Sequence, residues 1–179
     1  MAPDVAAASC DFQTNSTIPH VRFVFGTSSS TFTLAQAASG ISIPYDLVVD
    51  QDVPGFVPEP SRDGSDAANL TIGEGLAGNG QRYCICDTGL SLALCPTGDG
   101  GTTRPDGGGC EPVTIPHGTY HRTFEWDGHN WDGPSDTGNP KGAFFPAGDY
   151  VLTITTGAGS ISDAGALHGV GTMHIILFS

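Results

Sequence analysis

The residues of this sequence most able to carry chemistry are its five cysteines, four of which stand close together in the chain. On a strand, Cys84 and Cys86 project from the same face, and a bond between them would close a strained small ring. Separate partners such as Cys95 and Cys110 satisfy disulfide geometry more easily. In an acidic, lysine-poor chain we therefore expect two disulfides among these four residues. The odd cysteine count leaves the state of Cys10 open.

The same four cysteines admit a second interpretation, a metal site with four thiolate ligands. A C-x-C pair followed by two further cysteines can present four sulfurs to zinc or copper(I). The spacing lacks the paired C-x₂-C knuckles of common zinc sites and the C-x-x-C of redox enzymes. Disulfides are therefore the expectation, and a transition-metal site is the alternative.

Histidines and aspartates supply the other candidate metal ligands. Three of the six histidines flank Trp126 and could form a secreted copper or zinc site, but scattered polar positions on strands and loops are the favoured explanation. Asp-rich loops suggest calcium, but none ends in the glutamate that an EF-hand requires. We expect no cofactor, with calcium or a transition metal as the alternative. The three histidines are His117, His121 and His129.

Motifs of known catalytic sites are missing from the sequence. It contains no G-x-S-x-G elbow, no H-E-x-x-H and no phosphate-binding G-x-x-x-x-G-K. Residues 73–78 fit G-x-G-x-x-G, but no βαβ pattern surrounds them. No nucleophile is paired with a base, so we predict that the protein is not an enzyme.

The charge balance limits the classes of partner. Six basic residues face 19 acidic ones, which gives a formal net charge of -13. Such a surface repels nucleic acid and anionic lipid, and no apolar run is long enough to span a membrane. We expect a protein partner, with self-assembly and a protease as the two kinds to consider. Cysteines and acidity together predict an extracellular, periplasmic or cell-surface location, with a signal peptide already removed, since residues 1–10 lack its features.

The hydrophobic pattern indicates short strands joined by turns. Glycine at 26 residues and proline at 13 disfavour helices, and only 35–39 fits one helical turn. We predict a flexible leader at 1–17 and a single domain over 18–179 that carries a cysteine-rich insertion at 81–110. Strands are predicted at 21–25, 31–34, 41–49, 81–86, 90–94, 120–126, 150–154 and 169–178. Long loops are predicted at 50–80, where a short strand near 69–72 is an alternative, and at 96–109. Pro44 suggests an edge position or a bulge within its strand.

A fold motif occupies the last third of the chain. Trp126 is a large core residue at a strand end, and the glycine and proline turns that follow lead into a strand with Tyr150 facing inward. This W-D-G, polar loop, P-A-G-x-Y pattern resembles the signature of two bacterial immunoglobulin-like families. They are the BsuPI-type intracellular proteinase inhibitor domain and the Ig-like domain of flagellar hook-capping proteins. The likeness covers roughly residues 112–156 and is weaker over 18–50. The motif residues are Trp126, Asp127, Gly128, Pro146, Gly148 and Tyr150.

The resemblance implies an all-β, immunoglobulin-like sandwich with long Gly/Pro-rich loops and disulfide staples, in which Tyr150 makes a tyrosine corner. It implies a non-catalytic structural or interaction module for adhesion, assembly or scaffolding, whose edge strands and long loops contact the partner. A proteinase inhibitor that presents the loop 54–66 or 96–109 is the second hypothesis. A metal-binding protein that uses the cysteines or histidines above is the third.

Overall fold

A computed structural model describes residues 17–59, 67–86, 95–96, 102–103, 109–134, 142–162 and 165–179. Strands dominate these ranges, beside one five-residue helix, α1 (Leu34–Ala38). No helix within them is long and apolar enough to cross a membrane. The strands are β1 (Val21–Phe25), β2 (Ser29–Thr33), β3 (Ile41–Val49), β4 (Val53–Pro58), β5 (Ile72–Gly78), β6 (Gln81–Cys86), β7 (Cys95–Pro96), β8 (Thr102–Thr103), β9 (Val113–Ile115), β10 (Gly118–Trp126), β11 (Trp131–Pro134), β12 (Gly148–Thr156), β13 (Gly159–Ile161) and β14 (Val170–Phe178).

The strands form an all-β sandwich, as predicted. One layer is a six-stranded sheet in the order β11-β6-β5-β12-β14-β2, and the other is a three-stranded sheet, β1-β3-β10. The ladders are antiparallel except for β14 with β2 and β11 with β6, which run parallel. A second three-stranded sheet, β13-β4-β9, follows directly from the first because β3 leads into β4 and β9 leads into β10. The strands β7 and β8 make a separate pair.

The strand β3 shows why this sequence folds as it does. Its odd-numbered residues from Ile41 to Val49 are all buried, as the period-2 pattern predicts. Pro44 lies one residue beyond the end of the β1 ladder, which stops at the Phe25–Tyr45 pair. At Pro44 the strand is therefore bordered only by β10, so the expected edge position is confirmed locally, although β3 is otherwise central.

The buried hydrophobic residues of the described ranges form two cores. The larger lies between the sheets and combines residues of β3 and β10 with the inward rows of β12 and β14. The smaller lies under the β13-β4-β9 sheet and centres on Phe56 and Ile115, which are fully buried. Burial of such side chains stabilises the fold by about 1.5–3 kcal/mol each.

Two turns of the same sequence pattern, P-x-G-x-Y, lead into β10 and β12. The Tyr150 hydroxyl donates a hydrogen bond to the carbonyl of Pro146 at 2.8 Å, and its side chain is buried, so the predicted corner is confirmed. Tyr120 makes the equivalent bond to Pro116 at 3.0 Å, which sequence analysis did not anticipate. Each bond fixes the direction in which a long strand leaves its turn.

The prediction of one long loop over 50–80 is wrong. The segment contains β4, which includes Pro54 and Pro58, and β5, which is rich in glycine. Strand partners on both sides hold these sequences extended despite their weak β propensity. The register of β4 with β9 shifts between Val53 and Phe56, an irregularity that accommodates Pro54 and Gly55.

Other predicted boundaries can be compared with the observed strands. Thr17, the last residue of the predicted leader, bridges to His168. Residues 81–86, the start of the predicted insertion, form β6, whose Tyr83 is buried in the larger core. The strand expected at 90–94 and residues 1–16 lie outside the described ranges.

We predict that Tyr150→Phe lowers the free energy of unfolding by about 0.5–1.5 kcal/mol, because the buried Tyr150 side chain loses its hydrogen bond to the Pro146 carbonyl. Tyr120→Phe should cost less, since Tyr120 is only partly buried and water can replace its hydroxyl. Urea unfolding of both variants measures the difference. Equal losses, or a larger loss for Tyr120→Phe, would contradict the assignment.

Candidate functional site

The cysteines are arranged differently from the predicted pairing. Cys95 and Cys110 are bonded to each other, with their Cα atoms 5.2 Å apart, and both are buried. Cys84 is also disulfide-bonded and buried. The expected bonds from Cys84 and Cys86 to Cys95 and Cys110 are therefore wrong, because chain reversal between β7 and β8 lets the latter two meet. Cys10 and the side chain of Cys86 lie outside the described part of the protein.

This bond changes the metal hypothesis for the cysteines. A four-thiolate site needs four reduced sulfurs, and two of the four are joined to each other. The bond instead closes the loop 96–109. Only β7 and β8, Gly109 and Cys110 are described within that segment.

The three candidate histidines are not brought together. His117 Nδ1 lies 2.7 Å from Asp52 Oδ1, and His121 Nδ1 lies 2.7 Å from Asp46 Oδ1. His129 packs its ring on Phe144, with ring centroids 3.9 Å apart. Each of the three thus has its own local partner. Across the described ranges, no group of three or more His, Cys, Asp or Glu side chains could hold a metal ion.

The pair of His117 and Asp52 sits where the paired strands pass from one sheet to the next. Asp52 Oδ1 accepts both the His117 backbone N–H and the ring Nδ1, each at 2.7 Å. These hydrogen bonds, the backbone one first, lower the pKa of the Asp52 carboxyl. Because the folded pKa is depressed, any stability from this contact is present above the ordinary aspartate pKa and is lost as the pH falls through the folded pKa.

We predict that His117→Ala raises the pKa of Asp52 only partway toward its ordinary value. The variant removes the ring donor but keeps the backbone N–H, which is the larger cause. Carboxyl carbon NMR titration of both proteins measures the two midpoints. An unchanged midpoint, or complete return to the ordinary value, would contradict this division of the shift.

A cleft of about 350 Å³ opens between β10 and the six-stranded sheet. Within it the Tyr45 hydroxyl donates a 2.6 Å hydrogen bond to Glu74 Oε1, which ties β3 to β5. Burial raises the pKa of Tyr45, and the Glu74 carboxylate raises it further, while Arg122 acts in the opposite direction. The cleft is thus lined by both signs of charge next to one apolar side chain. Its described lining residues are Ile72, Glu74, His121, Arg122 and Thr123.

The fold-motif residues lie at one end of this region and serve the core. Trp126 is buried, contacts Phe145 edge-on with centroids 4.6 Å apart, and donates Nε1–H to the His129 carbonyl at 3.0 Å. Gly128 has a φ of +84°, and a Cβ there would come within 2.9 Å of the Ala37 carbonyl oxygen. Burial raises the pKa of the neighbouring Tyr83 to about 12. The contacts of these residues are core and turn contacts, which fix where β10 ends.

The strand β10 is an edge of its sheet in the order of described strands. It is nine residues long and pairs with β3 in unbroken register from Gly118 to Trp126. Thr119, His121, Thr123 and Glu125 are exposed along it. Natural edges are commonly shielded by shortness, lysine, proline, a bulge or an inward-pointing charge, and β10 shows only the last of these. Its one inward-facing charge, Arg122, lies in the cleft beside Tyr45 and Glu74.

Sequence analysis named edge strands as the contact surface but did not identify β10 or the cleft. The alternation of 120–126 predicted a strand at this position. Whether that strand lies at the edge of a sheet is decided by long-range strand pairing, which the local sequence does not show. Compared with known proteins, the chain matches no family model and no curated protein. The fold and site define an all-β sandwich with a long polar edge strand, and the immunoglobulin-like family resemblance remains a prediction.

Proposed function

We propose that this protein is a non-catalytic interaction module that works outside the cytoplasm and binds a protein partner at β10. The observation that carries the proposal is the nine-residue, regular edge strand beside a charged cleft. An extended segment of a partner would add to the sheet next to β10, so that main-chain hydrogen bonds supply affinity. Alternate side chains of that segment would enter the cleft and supply specificity.

Charge favours a basic partner segment. The net charge of -13 attracts cationic chains at long range. Near the edge, Glu74 faces the cleft and Glu125 lies on the exposed row, while Arg122 is placed to repel a basic side chain at one position. We expect lysine or arginine at some inward positions of the segment and a small or acidic residue opposite Arg122.

The disulfide supports the location. Bonds such as Cys95–Cys110 form and persist in oxidising compartments and are rare in the cytosol. Cys84 is a further oxidised cysteine of the described region. An extracellular, periplasmic or cell-surface setting is therefore part of the proposal.

Non-catalytic action is supported by the state of the titratable side chains. Among the described residues, each histidine of the candidate set is engaged with a neighbouring carboxylate or aromatic ring on the surface of the sandwich. The pKa values of Tyr45 and Tyr83 are raised, chiefly by burial, so neither hydroxyl is activated as a nucleophile or base. This pattern suits structural contacts better than a nucleophile poised beside a base.

Proteinase inhibition is the second candidate, favoured by the disulfide that closes the loop 96–109. A loop constrained at both ends binds a protease cleft at lower entropic cost than a free one. Titration of serine and cysteine proteases with the protein, before and after reduction, tests it. Loss of inhibition on reduction would support this candidate, and absence of inhibition by the oxidised protein would refute it.

We predict that peptides selected from a displayed library of random 12-residue peptides bind along β10. Amide hydrogen exchange of the complex should show protection rising by about tenfold or more at residues within 119–126. Selected peptides should be net basic. No selectable peptide, or protection confined to other strands, would overturn the proposed site.

A pair of edge variants sharpens this test. Thr123→Pro blocks the β10 edge, and Thr31→Pro places the same change on β2, the edge of the other sheet. We expect peptide binding to be lost in the first and kept in the second. Thermal unfolding shows whether each variant is folded, and if Thr123→Pro is not, the exchange map of the unaltered protein decides.

A further inference from the structure

The outer face of the six-stranded sheet carries an apolar stripe that the β10 site does not use. Val151, Ile176 and Phe178 are 37 %, 37 % and 45 % exposed, and they are three of the five exposed large hydrophobic residues of the described chain. The ladder of β12 with β14 pairs Asp149 with Ile176 and Val151 with His174. Val151 is thus diagonal to Ile176, and Phe178 follows two residues later on the same face.

The surroundings of this stripe carry few charges, Asp149 on β12 and Arg82 on β6. The same rows of the sheet continue through Ala77 on β5 and through Ser29, Thr31 and Thr33 on β2. Thr153 and Thr172 pair with each other at one end of the face. Asp149 is the one carboxylate on these rows, although the chain has 19 acidic residues. A neutral face on so acidic a protein is where contact with another acidic surface costs least.

The dimensions of the face suit a small interface. Four strands spaced about 4.8 Å apart, each contributing about seven residues of about 3.4 Å, cover roughly 19 by 24 Å. That footprint, about 450 Å² per copy, is smaller than the roughly 800 Å² per partner of a standard stable interface, so weak and reversible association is expected. Sheets can stack face to face at about 10 Å, with small threonine and alanine side chains flanking a central apolar stripe.

We propose that this face binds the same face of a second copy of the chain. Two copies each carry a net charge of -13, so they repel each other, and the repulsion is smallest when they meet at a carboxylate-poor surface. A basic partner would instead be attracted to acidic surfaces elsewhere. The one arginine beside these rows, Arg82 on β6 opposite Ala77, is too little basic charge to hold an anionic lipid. A two-fold axis near Ile176 brings the two apolar stripes together in a self-complementary contact.

This inference does not depend on the β10 site. The strand β10 belongs to the opposite sheet of the sandwich. A dimer formed through β12, β14 and β2 therefore leaves both β10 edges exposed, one on each side of the assembly. Two linked copies can then engage two partner segments at once, which raises overall affinity without any new contact.

Sedimentation velocity of the full chain over a range of protein and NaCl concentrations tests the proposal. We expect a monomer–dimer equilibrium that strengthens as salt is raised, because screening removes repulsion between the two acidic copies. Monomer at every condition up to millimolar protein would overturn it. Association that weakens with salt would also overturn it, since that points to ionic contacts.

A matched pair of variants locates the contact. Ile176→Asp places a charge at the centre of the stripe and should weaken dimerisation by about tenfold or more. Val24→Asp makes the same kind of change at the 41 % exposed Val24 on the opposite sheet and should leave dimerisation intact. Equal effects of the two variants would refute the assigned face. Peptide protection along β10 should be unaltered in both monomer and dimer, which separates failure of this inference from failure of the β10 site.

Discussion

Burial of one row of side chains on β3 is the constraint from which the rest of the molecule follows. Ile41, Ile43 and Tyr45 belong to the larger core, while Leu47 and Val49 belong to the smaller one. A single alternating strand thus joins two cores and fixes the angle between the sheets that cover them. Because side chains on a strand alternate with a period of two, a one-residue slip of β3 would expose both sets at once. The edge strand β10 takes its register from β3, so the proposed binding surface inherits the same constraint.

Sequence reasoning succeeded where a short segment determines its own structure. The alternation of 41–49, the inward Tyr150 and the buried Trp126 were all readable, because each depends on local pattern and turn chemistry. It failed where a remote partner decides. Prolines and glycines in β4 and β5 indicated a loop, and only their neighbours in the sheets hold them extended. The repeated P-x-G-x-Y at Pro116 was a local signal that could have predicted the second tyrosine corner.

The candidate site illustrates the same division. The hydrogen bond from Tyr45 to Glu74 joins residues that lie 29 positions apart, and the sequence around either residue does not predict the contact. The pairing of Cys95 with Cys110 could not be deduced from spacing, since four cysteines allow three connectivities. Histidines that looked like a cluster in the sequence separate because each meets a different carboxylate or ring across the sheets. A polar residue on a strand acquires its role from the strand beside it.

The position of β14 has a consequence for biosynthesis. This strand lies between β12 and β2, and its Met173, Ile175 and Leu177 fill the larger core. Until residues 170–178 have left the ribosome, β2 has no strand to pair with in its sheet. The inward side chains of β12 then also lack their neighbours on β14. The strands that precede β14 therefore cannot complete the sandwich until β14 is available, and the main core stays unfolded until then. A nascent chain in that state remains threadable, which is the condition a polypeptide needs when it is to pass through a narrow translocation channel before it folds.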